Sequence, residues 1–204
     1  MSIILPFMRA ASFVVLGIVV GMVIACGPEA DECGSGTCVR TVFVSEAAMS
    51  ADLGGIAGAD AICATEAAAA GLEGTFLAWL SDATHSPEDR FPRSAGPYVL
   101  PDGTQVLEGW TVLVDGLSAR IAQHADGTVV PPDDGPPALV WTGTFADGQR
   151  DDVNRSSYCG DWTLDTADES VLVGWVHEHL LSDDWSAANV VRCASQAHLY
   201  CFQR

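Results

Sequence analysis

The order of apolar and polar positions predicts one helix with short strands before and after it. Residues 57–70 are rich in alanine, and their apolar side chains recur at three- and four-residue spacings, as on the buried face of a helix. Gly71 follows at the place of a C-cap glycine. Residues 41–44 alternate as an opening strand, and residues 75–80 carry apolar side chains on both sides, as in a strand covered on both faces. Cys63 lies on the buried helix face, which predicts a half-cystine in the core.

Farther along the chain, the pattern predicts a hairpin and another strand. Residues 98–107 place apolar residues on both sides of Asp102-Gly103, a dipeptide that suits a tight turn. Residues 139–142 form a short apolar strand. Residues 109–115 fit either a short helix or a strand.

Length and composition indicate one domain preceded by an export segment. The chain has 204 residues, of which 49% are hydrophobic, and this suits a single core. Residues 1–25 hold one arginine and an apolar run that is short for a membrane span, as in a signal peptide. Val23-Ile-Ala-Cys26 resembles a bacterial lipobox, which implies cleavage before Cys26 and a lipid on its sulfur; the alternative is an uncleaved anchor helix. We predict a lipidated tether over residues 26–40 and a folded domain over residues 41–204.

The cysteine count agrees with export. The chain has seven cysteines, so lipidation of Cys26 leaves an even number, as an oxidising compartment favours. Cys33 and Cys38 bracket a short loop and are predicted to pair with each other. The alternative is a zinc site, but no second pair of matching spacing follows. The remaining four cysteines allow several connectivities, and the residues alone do not choose among them.

The charge of the chain is strongly negative and excludes some partners. Nine arginines face 27 acidic residues, no lysine is present, and the formal net charge is −18. Such a surface repels phosphate backbones and sulfated glycans. We therefore expect no nucleic-acid partner.

Two blocks of the sequence resemble the endostatin domain of collagen, and they are still more similar to the endostatin-like domain of bacterial surface lipoproteins. The first block is GIAGADAICATEAAAAGLEGTFLAWLSD, residues 55–82. In the second block the strings LVWTG, DGQR, SYCGDW and RCASQAHLYCF follow in the same order. The chain is thereby identified as a member of the DUF1554 family, which includes the leptospiral endostatin-like outer-surface proteins. The resemblance spans about residues 41–204 and implies an α+β, C-type-lectin-like fold.

The resemblance carries further expectations about the domain. It implies two nested disulfides, Cys63 with Cys201 and Cys159 with Cys193. Endostatin binds heparin through clustered arginines, whereas the arginines here are scattered among acids. We therefore do not expect this domain to bind heparin.

Residues 160–169 are the candidate ligand loop, because the corresponding loop of lectin-like folds binds ligands and calcium. Its acids offer the hard oxygen ligands that calcium requires, namely Asp161, Asp165, Asp168 and Glu169. Trp162 and Trp185 lie among acids, where an exposed indole would stack on a sugar or anchor a protein. The alternatives are a solvated acidic surface and two structural indoles, with Trp162 held near the Cys159 disulfide.

Other candidate chemistry in the sequence is weak. His177 and His179 would project from one side of a strand, as metal ligands do, but no third ligand is evident. The sequence holds no nucleophile elbow, phosphate loop or Schiff-base lysine. We therefore predict a non-enzymatic, lipid-anchored binding module in the bacterial cell envelope, in the outer membrane, for an extracellular protein or glycan, with no cofactor. The alternatives are a calcium-dependent lectin and a purely structural envelope lipoprotein.

Overall fold

The fold is a mixed α+β arrangement in which short helices and strands follow one another in irregular order. The computed structural model describes residues 38–93, 96–110, 113, 116–131, 138–152, 157–176 and 183–204. The helices of this part of the chain are α1 (Gly55–Ala69), α2 (Pro87–Arg90), α3 (Tyr158–Trp162) and α4 (Asp184–Ala187). The strands are β1 (Arg40–Val44), β2 (Phe76–Ala78), β3 (Tyr98–Val99), β4 (Gln105–Leu107), β5 (Leu139–Trp141), β6 (Ser170–Trp175), β7 (Asn189–Arg192) and β8 (His198–Gln203). None of these helices is long and apolar enough to cross a membrane.

The C-terminal strand β8 lies at the centre of the sheet. The strand order is β4-β3-β1-β8-β5-β6-β7, and β2 also pairs with β8. One edge of β8 pairs with β1, antiparallel, with Val42 opposite Phe202. The other edge is shared, because β5 pairs with the start of β8 and β2 pairs with its end. The last strand of the chain therefore joins the first strand to two that come from its middle.

Alternate side chains of β8 belong to two separate cores, as the two-residue period of a strand requires. Leu199 and Cys201 pack in the core that contains α1. Tyr200 and Phe202 pack on the other side of the sheet, in a core rich in tryptophan. Cys201 also forms a disulfide with Cys63, with the two Cα atoms 5.4 Å apart. This bond ties α1 to β8 across a sequence separation of 138 residues.

The structure confirms most of the elements expected from the sequence. The alanine-rich segment forms α1, and Gly71 follows it with a φ of +73°, a conformation that glycine adopts easily. The expected hairpin forms from β3 and β4. The expected strand over residues 75–80 is shorter, since the regular pairing with β8 covers Phe76–Ala78.

A buried ion pair fixes α1 against α2 and β2. The Arg90 guanidinium donates to both carboxylate oxygens of Asp60, each at 2.6 Å. The Asp60 carboxylate also accepts the backbone N–H of Ala78 at 2.9 Å, and Arg90 donates to the Ala78 carbonyl at 2.8 Å. Only 10% of the Arg90 side chain and 23% of the Asp60 side chain are exposed. Water therefore cannot fully replace either partner if the other is removed.

We expect Arg90→Ala to lower the free energy of unfolding by about 3 kcal/mol, because it leaves a largely buried carboxylate unpaired. Arg93→Ala is the matched control, since Arg93 pairs with Glu88 but 62% of its side chain is exposed. Both variants change the net charge equally, and the control should cost no more than about 1 kcal/mol. Urea unfolding at neutral pH measures the difference. Equal losses in the two variants would contradict the structural role of the Asp60–Arg90 pair.

Candidate functional site

The two tryptophans expected at a binding surface are buried. Trp162 has no exposed surface, and its indole N–H donates to the Ser81 carbonyl at 2.7 Å. Trp185 is 4% exposed and packs on Trp79, with ring centroids 5.1 Å apart. The disulfide between Cys159 and Cys193 holds the Trp162 segment on the core. Both indoles therefore pack inside the protein, and the expectation that they contact a ligand at the surface is wrong.

The segment that carries Trp162 has an unusual backbone. All five residues of α3 have φ between +49° and +66°, so this single turn is left-handed. A left-handed turn costs about 1–2 kcal/mol for each residue other than glycine, and here the surrounding contacts offset that cost. Besides the Cys159 disulfide and the Trp162 hydrogen bond, the Asp161 carboxylate accepts the backbone N–H of Ala83 at 2.9 Å. Asp161 is thus engaged in holding the turn.

The acids of residues 160–169 do not converge. Asp165 and Asp168 are exposed, and Glu169 is half-buried and accepts a hydrogen bond from the Ser157 hydroxyl. Among the described residues, no group of three or more histidines, cysteines or acids could hold a metal ion. His177 and His179 lie outside the described residues. In the described part of the chain, the acids of the expected loop therefore do not come together as a set of calcium ligands.

The cysteines pair as the resemblance implies. Cys63 bonds to Cys201, and Cys159 bonds to Cys193 with their Cα atoms 5.6 Å apart. Cys38 is also disulfide-bonded. Its expected partner Cys33 and the expected lipid site Cys26 lie outside the described residues.

A groove of about 450 Å³ opens on the face of the sheet that α1 covers elsewhere. Paired residues of neighbouring strands place their side chains on the same face. Leu139 pairs with Trp175, and Val171 pairs with Val191. Leu139 and Val191 thus lie on the face that carries Trp141 and Val173, where they pack against the edge of that core and line the groove. The polar residues of the lining are Asn189, Gln196 and His198. We call this concavity the Trp175 groove.

The strand beneath the groove is held rigidly from its other side. Gly174 faces away from the groove, and a Cβ placed on it would overlap the backbone carbonyl of Trp185 in α4. Ser186 of α4 accepts the indole N–H of Trp79 at 2.9 Å and donates to the Thr144 carbonyl at 2.9 Å. The close approach of α4 therefore fixes β6, and with it the position of Trp175.

Two further hydrogen bonds position the groove. The Tyr200 hydroxyl donates to the backbone carbonyl of Trp175 at 3.1 Å, and burial raises the pKa of this hydroxyl, so it stays neutral. His198 Nδ1 lies 2.8 Å from the Ser45 carbonyl. A carbonyl only accepts, so Nδ1 carries a proton and donates it to this carbonyl. His198 pairs with Val140, which in turn pairs with Gly174, so the side chain of His198 leaves the sheet on the side opposite Trp175 and this bond fixes the start of β8.

A second, smaller concavity of about 250 Å³ is acidic and lies near the end of α1. It is lined by Glu46, Glu66, His124 and Asp126 over a floor of alanines. Burial raises the pKa of the Glu66 carboxyl, and the nearby negative charge of Glu46 acts in the same direction. Its polar groups already serve the protein, because Glu66 accepts the backbone N–H of Glu46 at 3.0 Å and His124 Nδ1 bonds to the Val44 carbonyl at 3.1 Å. The Trp175 groove is the stronger candidate site, because it is larger and adds a half-buried indole and an apolar floor.

No known protein-family profile matches the chain. A curated protein to which the chain is similar is the human collagen alpha-1(XVIII) chain, with 32% identity over 139 residues. This similarity covers 62% of the present chain but only 8% of the collagen chain, so the present chain spans a small fraction of its relative. The similarity agrees with the resemblance to the endostatin domain of collagen. Membership of the bacterial lipoprotein family stays a prediction.

We expect Gly174→Ala to destabilise the protein by about 3 kcal/mol, because the added methyl group would push α4 away from β6. Gly103→Ala is the control, since nothing lies within 4 Å of its added methyl group. The control still carries the strain of a φ of +87° and should cost about 1 kcal/mol. Thermal unfolding measures both variants. A Gly174→Ala protein as stable as the control would show that α4 does not support the groove.

Proposed function

We propose that this protein is an exported, lipid-anchored binding module with an endostatin-like, C-type-lectin-like domain. In this proposal the domain holds a protein or glycan ligand in the Trp175 groove without changing it chemically. The observation that carries the proposal is the groove itself, a half-buried indole beside an apolar floor with the amides of Asn189 and Gln196 in its lining. Ligand sites in proteins have this composition, a mainly apolar concavity with a few placed polar groups.

The lining of the groove supports binding more than catalysis. General acid-base or nucleophilic catalysis needs a titratable group placed against a second reactive group. Among the described residues of the lining, His198 is the one titratable side chain, and its Nδ1 is already bound to the backbone of Ser45. The other two polar side chains are amides, which bind and orient ligands but exchange no protons near neutral pH. This composition favours a module that captures its ligand.

The anchoring part of the proposal rests on the sequence before the domain. The apolar run ends at Cys26 in a lipobox-like string, and residues 27–40 are long enough to serve as a tether. Gly27 follows the lipid site in place of the Asp that is typical of inner-membrane retention, which favours the outer membrane. A lipid at Cys26 would hold the groove at the surface of a bacterial cell, where an extracellular ligand is accessible.

We expect Cys26→Ser to abolish incorporation of a clickable fatty acid when the full-length chain is expressed in a Gram-negative host. The variant should also move from the membrane fraction to the soluble fraction, because it has lost its lipid. Cys38→Ser is the control: it removes another N-terminal cysteine but leaves the lipid site, so labelling should persist. Labelling that survives in Cys26→Ser would overturn the proposed anchor.

We expect ligands of the protein to depend on Trp175. The test exposes the full-length protein to a phage library of linear twelve-residue peptides and to an array of neutral and sulfated oligosaccharides. Any selected probe should bind Trp175→Ala at least tenfold more weakly, since a central aromatic side chain carries a large share of binding energy. Val190→Ala is the matched control, because Val190 lies on the neighbouring strand β7 and is 45% exposed, but its side chain is on the opposite face of the sheet from the groove. Its affinity should be unchanged.

Two outcomes would contradict this proposal. One is that no peptide or oligosaccharide is retained above background by the wild-type protein. The other is that the selected probes bind Trp175→Ala as tightly as wild type. Near-ultraviolet circular dichroism of each variant verifies that the fold is intact, and Gln196→Ala, at an exposed position of the lining, provides a second variant that does not disturb the core.

A further inference from the structure

The charge of the Trp175 groove contrasts with the charge of the whole protein. The chain carries a net charge of −18, yet the described residues that line the groove include no carboxylate and no guanidinium. An anionic ligand would be repelled by the overall field of the protein and would meet no arginine among the described residues of the lining. A cationic ligand would gain more at the acidic concavity of Glu46, Glu66 and Asp126. The groove therefore matches an uncharged ligand.

The polar groups of the groove suit hydroxyls. The amides of Asn189 and Gln196 each carry both a donor group and an acceptor oxygen. A hydroxyl group also donates and accepts, so neighbouring hydroxyls on one ring can pair with such side chains in both directions. The indole of Trp175 and the floor formed by Leu139 and Val191 offer apolar surface to the C–H face of such a ring.

The position of the groove disfavours an extended peptide bound through its backbone. Backbone recognition of a peptide adds a strand to a free edge of a sheet. In this fold β7 is the terminal strand of the sheet order, whereas the groove lies on the face of the sheet, where the backbone groups of β5 and β6 are paired with each other. A ligand in the groove is therefore recognised by side chains. A volume of about 450 Å³ lies within the range of sites for drug-sized ligands, which is the size of a short oligosaccharide.

From these observations we propose that the Trp175 groove binds an uncharged oligosaccharide, with a sugar ring stacked on the Trp175 indole and its hydroxyls paired with the amides of Asn189 and Gln196. This inference rests on the proposed function of the groove and narrows its ligand class. The groove holds hydroxyls through side chains, so the binding needs no calcium. It also lies apart from residues 160–169, where the calcium ligands were expected.

The test titrates the full-length protein, in a detergent without a sugar headgroup, with cellotetraose, maltotetraose, xylotetraose, mannotetraose and chitotetraose. Tetragalacturonate is the charged control. Isothermal titration calorimetry in the presence of EDTA should detect binding of at least one neutral tetrasaccharide and none of tetragalacturonate. Trp175→Ala and Gln196→Ala should each weaken that binding at least tenfold, and Val190→Ala should leave it unchanged.

The results separate this inference from the proposed function on which it rests. If no neutral tetrasaccharide binds while peptides selected on the protein depend on Trp175, the oligosaccharide inference fails and the binding function stands. If neither class of probe binds, both fail. The inference is also overturned if EDTA abolishes sugar binding or if tetragalacturonate binds as well as the neutral sugars. It is overturned as well if Trp175→Ala and Gln196→Ala both bind the sugar as tightly as the wild-type protein.

Discussion

The pairing of β8 with three other strands is the constraint on which the rest of this structure depends. The strand comes last in the chain, yet β1, β2 and β5 all form hydrogen bonds with it. Its alternate side chains enter two different cores, and Cys201 adds a covalent link to α1. In the chain-entropy view, closing so long a loop lowers the entropy of the unfolded state and contributes about 5 kcal/mol to stability. Both cores therefore need the C-terminal residues in place.

The second disulfide stabilises one turn of the fold. It joins Cys159 to Cys193, and Cys159 lies in the left-handed turn α3. The turn places Trp162 in the core beside Trp141, with ring centroids 6.0 Å apart. Packing, the disulfide and the hydrogen bond to Ser81 together offset the strain of a backbone that only glycine adopts without cost. The acidic residues Asp165 and Asp168, which follow this fixed turn, are exposed to solvent.

The Trp175 groove follows from the way the two faces of the sheet are used. On one face, α4 approaches β6 so closely that only glycine fits at position 174. On the opposite face, α1 and α3 cover the part of the sheet near the disulfides and leave the ends of β5, β6 and β7 uncovered. Trp175 lies at that uncovered end, with Asn189, Gln196 and His198 around it. Rigid support on one side and a lining of apolar side chains and amides on the other give the groove the character of a binding site.

The sequence by itself determined the local elements of this protein. The alanine-rich helix, the Asp102-Gly103 hairpin and the opening strand follow from period and turn chemistry, which depend on neighbouring residues alone. The disulfide pairs also followed, once the order of motifs resembled that of endostatin. What only the tertiary structure decided was exposure. Trp162 and Trp185 stand among acids in the sequence but are buried by a left-handed turn and a close helix contact. Trp175 lies in an apolar strand that gives no local sign of a binding site. It lines a groove because strands distant in the sequence pair beside it. Such pairing depends on several segments at once and cannot be inferred from any one of them.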